Sequence, residues 1–283
     1  MPDPALDHAD RLRQSTVGIP ACDDDPHVLS RALRALQAEN LPVPPLVVDM
    51  SRREEVKRAV QSSALEVRYV PFRDSSGLSE SRNRILELAE TRFVLFIDAD
   101  AVPAAGWARA LATALDPARR VWLAGARIVP EWPVRPPPLF TSTVALELLG
   151  MLDLGPRPME IPRVMGTSFA IDTESPGRPG FREDLGRRPG SLLSGEEVGL
   201  SLDVLAAGGR ILYEPAATVR HFVRRERVSW RWMLRRAYSE GHETGLWPQR
   251  LEPFPRPLRW RDRVFQLAMG PAFRAGHIRA AGR

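Results

Sequence analysis

The 283-residue chain contains very little cysteine and lysine. Its one cysteine, Cys22, cannot form a disulfide within the chain, and no cysteine cluster is available for zinc or an iron–sulfur centre. Lys57 is the only lysine, so 39 of the 40 basic residues are arginine. Chemistry that requires a lysine elsewhere in the chain is therefore excluded.

Long apolar runs and a signal peptide are also missing from the sequence. No stretch reaches the roughly 18 apolar residues that a membrane-spanning helix needs. The N-terminus carries Asp3, Asp7 and Asp10 where a signal peptide carries basic residues, and no apolar segment follows them. We therefore expect a cytoplasmic protein.

The charge of the chain is unevenly distributed. The net charge is +5, but residues 220–283 contain 15 arginines against five acids, a net of +10. Residues 1–219 carry the remaining −5. This pattern predicts an enzyme-like body followed by a basic segment. Such a segment either meets phosphates, anionic lipid or an acidic partner, or simply exposes its arginines to water.

Strand and helix patterns alternate through the first half of the chain. Apolar or β-branched runs at 15–20, 45–50, 66–70, 92–97 and 121–129 predict strands, and helical spacing of apolar residues occurs between them. Strands that alternate with helices of about 10–15 residues indicate an α/β fold with a mostly parallel sheet. In such sheets, ligands bind beyond the carboxyl ends of the strands.

Several element boundaries follow from capping and punctuation residues. Ser51 is expected to cap a helix over about 52–62, and Ser194 a helix that ends near 207. A helix is predicted from Pro103, because proline is tolerated in the first turn. Two short strands are predicted at 210–213 and 217–222.

Three acidic residues follow predicted strands at the ligand-binding edge. Asp98 and Asp100 are two positions apart at the end of the most apolar strand, which turns both side chains to the same face. Two carboxylates placed in this way suit a hard divalent cation, and helix capping is the alternative role. Asp49 ends another strand, where it accepts hydrogen bonds from a nucleobase or ribose, or serves only as a turn residue.

Other polar residues near this edge have both a chemical and a structural interpretation. Arg82 and Arg84 lie at the start of a helix and are suited to pair with phosphates, or are simply exposed. Glu196 and Glu197 begin a later helix, where a glutamate is either a general base or a favourable partner of the helix dipole. His221 follows a short strand, and its role is either that of a ligand or that of a structural histidine.

The order of these motifs resembles the family-2 glycosyltransferases of the GT-A fold over about residues 14–240. The motifs that carry the resemblance are, in chain order, GLSESRNRIL, FVLFIDADAVP, MGTSFAI, FREDLG, SGEEVGLSLDVLAAGGRILYEP and ATVRHF. The resemblance implies a Rossmann-like, mostly parallel sheet flanked by helices. It also implies inverting transfer of a sugar from a UDP-, GDP- or dTDP-sugar, with Mn²⁺ or Mg²⁺ as cofactor.

The resemblance assigns residues to the nucleotide part of the site. Pro20, Ala21 and Asp49 would line the base and ribose pocket. Arg82 would lie near the base or the diphosphate, and Asp98 would touch the ribose or the metal.

The same resemblance assigns the metal ligands and the base. Asp100 would hold the metal together with Asp98, and His221 would stand near the metal or the diphosphate. Glu197 would take the place of the usual base aspartate. Glu196 precedes it, and the sequence leaves the choice between the two glutamates open.

The resemblance also predicts a domain organisation. Residues 1–222 would form the catalytic domain, with a nucleotide-sugar half over about 14–129 and an acceptor half over about 130–222. Residues 223–283 would form a basic helical C-terminal extension. The Q-x-x-R-W motif of processive synthases is absent from the chain, so transfer of a single sugar is expected. The acceptor is a small molecule, a glycan or a lipid-linked molecule.

Three other classes of protein were weighed. A phosphatase of the haloacid-dehalogenase type also has a strand-end D-x-D, but it needs a downstream lysine, and Lys57 lies upstream of Asp98. A nucleotidyltransferase would have a glycine-rich, basic phosphate loop after the first strand, where this chain has ACDDDP. A non-catalytic nucleotide-sugar-binding protein on the same fold is the third class.

The C-terminal segment has several candidate partners. Residues 228–240 are expected to dock on the body through their apolar side chains. Residues 256–283 mix aromatic and apolar residues with arginine, which suits peripheral contact with the inner face of an anionic membrane. An acidic acceptor, docking on the body and a homodimer contact are the alternatives. Nucleic acid is not expected, because no recognised binding motif accompanies the charge.

Overall fold

A computed structural model describes residues 8–75, 77–177, 180–187, 192, 194–247 and 252–281. Residues 1–7 of the predicted catalytic domain and 282–283 of the predicted extension lie outside the described residues.

Strands and helices alternate along the described chain. The strands are β1 (Ser15–Ala21), β2 (Leu46–Asp49), β3 (Arg68–Pro71), β4 (Phe93–Ile97), β5 (Ala101–Pro103), β6 (Val121–Glu131), β7 (Met159–Glu160), β8 (Ser168–Asp172) and β9 (Arg210–Phe222). The α-helices are α1 (His8–Arg13), α2 (Pro26–Gln37), α3 (Glu55–Gln61), α4 (Leu78–Leu88), α5 (Trp107–Ala114), α6 (Thr143–Leu148), α7 (Glu196–Ala206), α8 (Trp230–Gly245) and α9 (Trp260–Ala281). Within the described ranges, none of these helices is long and apolar enough to cross a membrane.

All the strands belong to one sheet, in the order β3-β2-β1-β4-β8-β6-β9-β5, with β7 paired to β9. The run from β3 to β4 is parallel throughout, and β6 is parallel to β9. Strand β8 lies antiparallel between β4 and β6. The predicted α/β class is confirmed, and the parallel run brings the carboxyl ends of β1, β2 and β4 to one edge of the sheet.

The parallel strands are apolar along their length because helices cover the sheet. Every residue of β1, β2 and β4 is buried, as is typical of a parallel sheet covered on both faces. Helix α4 contacts β1 and β2. Its close approach requires Gly18, because a Cβ atom at this position would overlap the side chain of Ile85.

Two of the predicted helix starts are wrong. The helix expected from Pro103 begins at Trp107, because Ala101–Pro103 pairs antiparallel with β9 at the edge of the sheet. Proline is compatible with an edge strand because its missing N–H costs no ladder hydrogen bond there. Ser51 does not cap α3; its hydroxyl accepts a hydrogen bond from the N–H of Asp23 at 2.7 Å.

Two further expectations about the second half are also wrong. Ser194 does not cap α7. Its N–H and hydroxyl donate to the carboxylate of Glu243, at 2.8 and 3.0 Å. The two short strands predicted at 210–213 and 217–222 are one strand, β9, whose register against β6 shifts between Ala126 and Arg127.

The basic C-terminal segment forms helices α8 and α9, which pack closely on each other and on α6. The predicted docking of 228–240 is confirmed, since Met233 and Ala237 are buried in the same apolar core as the sheet. The backbones of α8 and α9 touch at glycines. A Cβ atom on Gly241 would overlap the Phe273 carbonyl, and one on Gly276 would overlap the Tyr238 carbonyl.

We expect Gly276→Ala to lower the free energy of unfolding by about 1–3 kcal/mol, because the added methyl group must push α8 and α9 apart. Gly270→Ala in the same helix is the control. Its new methyl group meets only the end of the flexible Arg274 side chain, and alanine favours the helix by up to about 1 kcal/mol. Urea unfolding of both variants checks this, and equal stability of Gly276→Ala and the unaltered protein would contradict the close packing.

Candidate active site

Two cavities lie at the carboxyl ends of the parallel strands, and a third adjoins them among helices α6 to α9. We call them the outer cleft, of about 450 Å³, the central pocket, of about 80 Å³, and the apolar cavity, of about 360 Å³. The outer cleft and the central pocket share Leu78, Asp98, Asp100, Arg187 and Arg227 in their walls. The central pocket and the apolar cavity share Glu147, Leu148, Met165, Ser194, Glu197 and Arg236. The central pocket therefore adjoins each of the other two.

Six of the nine residues that the sequence assigned to the site line the central pocket. They are Arg82, Asp98, Asp100, Glu196, Glu197 and His221. They come from the start of α4, the end of β4, the start of α7 and the end of β9. These positions are distant in sequence, and the sheet order brings them together.

The Arg82 guanidinium holds this pocket together. It donates to Glu196 Oε1 at 2.6 Å, to Asp98 Oδ1 at 3.1 Å and to the Gly166 carbonyl at 2.7 Å. Its side chain is only 1% exposed, and the Phe169 ring lies 5.6 Å from the guanidinium carbon. Because arginine stays charged when buried, this contact fixes the two carboxylates by charge as well as by hydrogen bonds.

Asp100 and His221 form a second buried pair. Asp100 Oδ1 lies 3.2 Å from His221 Nε2, and His221 is the register partner of Ala101 in the β5–β9 pair. Burial alone would raise the pKa of Asp100, but the adjacent His221 holds that pKa below its ordinary value. Burial raises the pKa of Asp98 to about 6, with Arg82 opposing the shift and Asp100 adding to it.

Asp24 is a further carboxylate that the sequence analysis did not single out. It follows β1, where it accepts hydrogen bonds from the Cys22 N–H and from Arg224, both at 2.8 Å. Burial, and then the charge of Asp100, raises the pKa of Asp24 to about 7. Asp25, the next residue, caps α2 by accepting a hydrogen bond from the His27 N–H.

This acidic cluster fits a divalent cation. Its donors are carboxylate oxygens and an imidazole nitrogen, and the raised pKa values of Asp24 and Asp98 show that nearby positive charge does not offset their burial. Across the described ranges, no group of three or more such side chains is close enough to hold an ion. A cation here would therefore take its remaining ligands from water or from a bound phosphate.

Glu197 faces the junction between the central pocket and the apolar cavity. Its predecessor Glu196 is buried and tied to Arg82, whereas Glu197 lines both cavities. Its Oε2 is buried, with no hydrogen-bond partner among the described residues. Burial, and then the charge of Glu196, raises the pKa of Glu197 to about 8. Among the described residues Glu196 Oε2 is likewise buried without a partner, so Glu197 is distinguished as the candidate general base by its place beside both cavities and by its raised pKa.

The residues predicted for the base and ribose pocket lie at the ends of β1 and β2. Pro20 lines the outer cleft. Ala21 and Asp49 are register partners, and both are buried. Asp49 accepts hydrogen bonds from the Ser51 N–H at 2.8 Å and from the Tyr69 hydroxyl at 2.7 Å. Their roles toward a nucleotide stay predictions.

Arginine dominates the basic lining of the outer cleft. The arginines in its wall are Arg52, Arg73, Arg187, Arg224 and Arg227. Burial, and then the neighbouring Arg227, lowers the pKa of Arg187 to about 10, so it remains charged at neutral pH. Arg187 and Arg227 reach the central pocket as well. The sequence patterns indicated neither arginine as a site residue. Arg187 lies in a loop without periodicity. The wall also contains five acids, so the cleft places positive charge for an anion beside carboxylates that suit a cation. These acids are Asp23, Asp24, Asp98, Asp100 and Glu226.

Comparison with known proteins gives a family match over the sheet. The model for glycosyl transferase family 2 matches residues 16–173. The pre-mycofactocin glycosyltransferase of Mycobacterium tuberculosis, found in two strains, is 31% identical over 187 residues. That match covers 64% of this chain and 37% of the relative, so the chain spans little more than a third of the relative's length.

Solved structures share the fold. A crystal structure of GalNAc-T7 with UDP, GalNAc and Mn²⁺ aligns with a TM-score of 0.59 and 16% identity, over 83% of this chain and 48% of that one. The mannosyltransferase PcManGT from Pyrobaculum calidifontis, in complex with GDP-Man and Mn²⁺, aligns with a TM-score of 0.59 and 20% identity, over 95% and 75% of the two chains. These likenesses confirm the predicted GT-A fold.

Proposed function

We propose a function for this chain, which belongs to glycosyl transferase family 2: it transfers one sugar from a nucleoside-diphosphate sugar to an acceptor hydroxyl, with inversion. The observation that carries the proposal is the position of Glu197. It lies between the pocket of Asp98, Asp100 and His221 and a second, apolar cavity. A base at this point would lie between a donor on the side of the acidic residues and an acceptor on the side of the apolar cavity.

The outer cleft is the proposed donor site. It adjoins the acidic cluster, and its arginine-rich wall suits a diphosphate. GalNAc-T7 and PcManGT, which share the fold, were solved with UDP and with GDP-Man. We therefore propose a UDP-, GDP- or dTDP-sugar as donor. Pro20 in the wall of the cleft, and Ala21 and Asp49 at the strand ends beside it, are the proposed neighbours of the base and ribose.

Asp100 is the residue that would hold Mn²⁺ or Mg²⁺, with Asp98 or His221 as a second protein ligand and with water or phosphate in the remaining positions. Both structural relatives were solved with Mn²⁺. A bound cation would offset the negative charge of the diphosphate as it leaves. Arg187, which reaches both the outer cleft and the central pocket, would contribute a second positive charge from the protein itself.

Glu197 is the proposed base. Its carboxylate takes the proton of the acceptor hydroxyl while that oxygen bonds to the anomeric carbon. The bond from this carbon to the diphosphate oxygen breaks on the opposite face, which inverts the anomeric configuration. Glu196 is the alternative base, but one of its oxygens is held by Arg82 at 2.6 Å.

Glu197→Gln should reduce turnover by at least about a hundredfold and leave donor affinity unchanged, because the amide cannot take a proton. In the unaltered protein, turnover should rise with pH up to about 8 and then level off, since only ionised Glu197 acts as a base and its pKa is raised to about 8. Steady-state rates across this range check both statements. The residual activity of Glu197→Gln should lack this pH dependence.

Glu196→Gln is the matched control. It leaves the buried Arg82 without one of its two carboxylate partners, so it should lower stability. It also removes a charge that raises the pKa of Glu197, so turnover should still rise with pH, but the rise should move to lower pH. If Glu196→Gln loses the pH dependence and Glu197→Gln keeps it, the assignment of the base is wrong. Retention of anomeric configuration in the product would exclude the role of a base altogether.

Asp100→Asn should abolish transfer, because the amide is a much weaker cation ligand than the carboxylate. The substitution should also remove the Mn²⁺-dependent rise in melting temperature that a nucleoside diphosphate produces. EDTA should abolish transfer by the unaltered protein reversibly. Asp203→Asn, an exposed change on α7, is the control and should behave as the unaltered protein. Full turnover in EDTA would contradict the metal role.

We also propose that the outer face of α9 contacts an anionic membrane. Trp260, Leu267 and Ile278 are 67%, 80% and 70% exposed, and their spacing of seven and eleven residues places them on one side of the helix. Exposed arginines flank this stripe on both sides: Arg261, Arg263, Arg274 and Arg279. Apolar side chains between basic ones suit an interface with anionic lipid, where each basic residue adds about 1 kcal/mol.

Replacing both Leu267 and Ile278 with glutamate should abolish sedimentation with vesicles of phosphatidylcholine and phosphatidylglycerol, because charge then replaces the apolar stripe. Binding of the unaltered protein should weaken as salt is added. Leu205→Glu, an exposed change on α7, is the control. Failure of the unaltered protein to bind at low salt would contradict the proposal, and a dimer that the double substitution separates would assign the face to a second copy.

A further inference from the structure

The apolar cavity lies on the far side of Glu197 from the acidic cluster. Asp98 and Asp100 line the outer cleft and the central pocket, whereas Glu197 lines the central pocket and the apolar cavity. If the donor occupies the outer cleft, the molecule that Glu197 deprotonates must approach from the apolar cavity. A general base must lie within hydrogen-bond reach of the proton it removes.

Helices α6 to α9 build most of this cavity, and its lining is largely apolar. The apolar residues in its wall are Val144, Leu148, Met165, Val198, Ala237, Phe265, Met269 and Phe273. Helix α9 supplies the last three, from the face opposite Leu267 and Ile278. The volume of about 360 Å³ falls in the range of small-molecule sites, roughly 300–1,000 Å³.

Most charged residues in the wall are paired; Gln266 and Arg274, both exposed on α9, are polar wall residues outside these pairs. Arg236 donates to Glu240 at 2.6 Å and to Glu243 at 3.0 Å, and Glu243 also accepts from Ser194. Glu147 accepts from Arg256, which lies outside the cavity wall. These groups offer little hydrogen bonding to a ligand. A glycan with many hydroxyls would lose hydrogen bonds to water here without replacing them.

We infer that the acceptor is an alcohol or phenol with an apolar body, held between α6, α7, α8 and α9 with its hydroxyl at Glu197. This inference rests on the proposed glycosyl transfer and deepens it by naming the acceptor class. It assigns acceptor choice in part to helices α8 and α9, which lie beyond the residues 16–173 that the family model matches. Phe265, Met269 and Phe273 act by shape, as specificity-determining residues.

The test measures binding of 2-naphthol to the full chain by fluorescence, without any transfer reaction. Met269→Trp fills the cavity and should weaken binding by at least about tenfold. Ala268→Trp, the neighbouring exposed position on α9, should leave binding unchanged. Phe273→Ala enlarges the cavity and should favour the bulkier 2-anthrol over 2-naphthol by at least about threefold, which keeps the inference testable if Met269→Trp fails to fold.

Competition distinguishes the sources of such an acceptor. Displacement of 2-naphthol by farnesol in phosphatidylcholine vesicles, and not by the vesicles alone, would assign a lipid-borne alcohol. Displacement by soluble aryl alcohols only would assign a soluble one. Displacement by maltose, or equal binding of 2-naphthol to Met269→Trp and the unaltered protein, would overturn the inference. Nucleoside-diphosphate binding with Mn²⁺ is measured separately in each variant, so failure of the proposed donor site remains distinguishable.

Discussion

The buried guanidinium of Arg82 is the contact on which the site depends. A charge with 1% exposure must be paired, and Arg82 pairs with Asp98 from the end of β4 and Glu196 from the start of α7. The same group binds the Gly166 carbonyl, so the parallel strands and α7 meet at one side chain. Glu196 makes this contact from the wall of the central pocket, and the next residue, Glu197, lines both the central pocket and the apolar cavity.

The cavities differ in character because different elements supply their walls. The segments after β2, β3 and β9 and the loop before α7 give the outer cleft its arginines, and the turn after β4 gives the central pocket Asp98 and Asp100. Helices α6 to α9 give the apolar cavity most of its apolar lining. Asp24 lies among the acids with a pKa raised to about 7, although Arg224 pairs with it. The nearby arginines therefore do not neutralise these carboxylates fully, and the remaining negative charge suits an added cation.

Sequence patterns predict the parts of this structure that are local. The apolar strands and the pair Asp98 and Asp100 follow from runs and spacing within a few residues. They do not indicate which of Glu196 and Glu197 meets Arg82, because the two are adjacent in a helix; the structure shows that it is Glu196. Arg187 lies in a non-periodic loop and carried no signal. Pro103 was misassigned because a first-turn proline and an edge-strand proline look alike until the pairing with β9 is known.

Helix α9 shows why composition alone left its partner open. Apolar residues recur on two opposite sides of this helix, so the sequence of the segment shows only a uniform mixture of aromatic residues and arginine. The packing with α8 separates the sides: Phe265 and Met269 are buried, and Leu267 and Ile278 are exposed. One helix can therefore close a cavity and meet a lipid surface at once. If both proposals hold, an acceptor with an apolar body concentrates in the same bilayer that α9 contacts, so membrane contact would raise the local acceptor concentration without any change in the catalytic pocket.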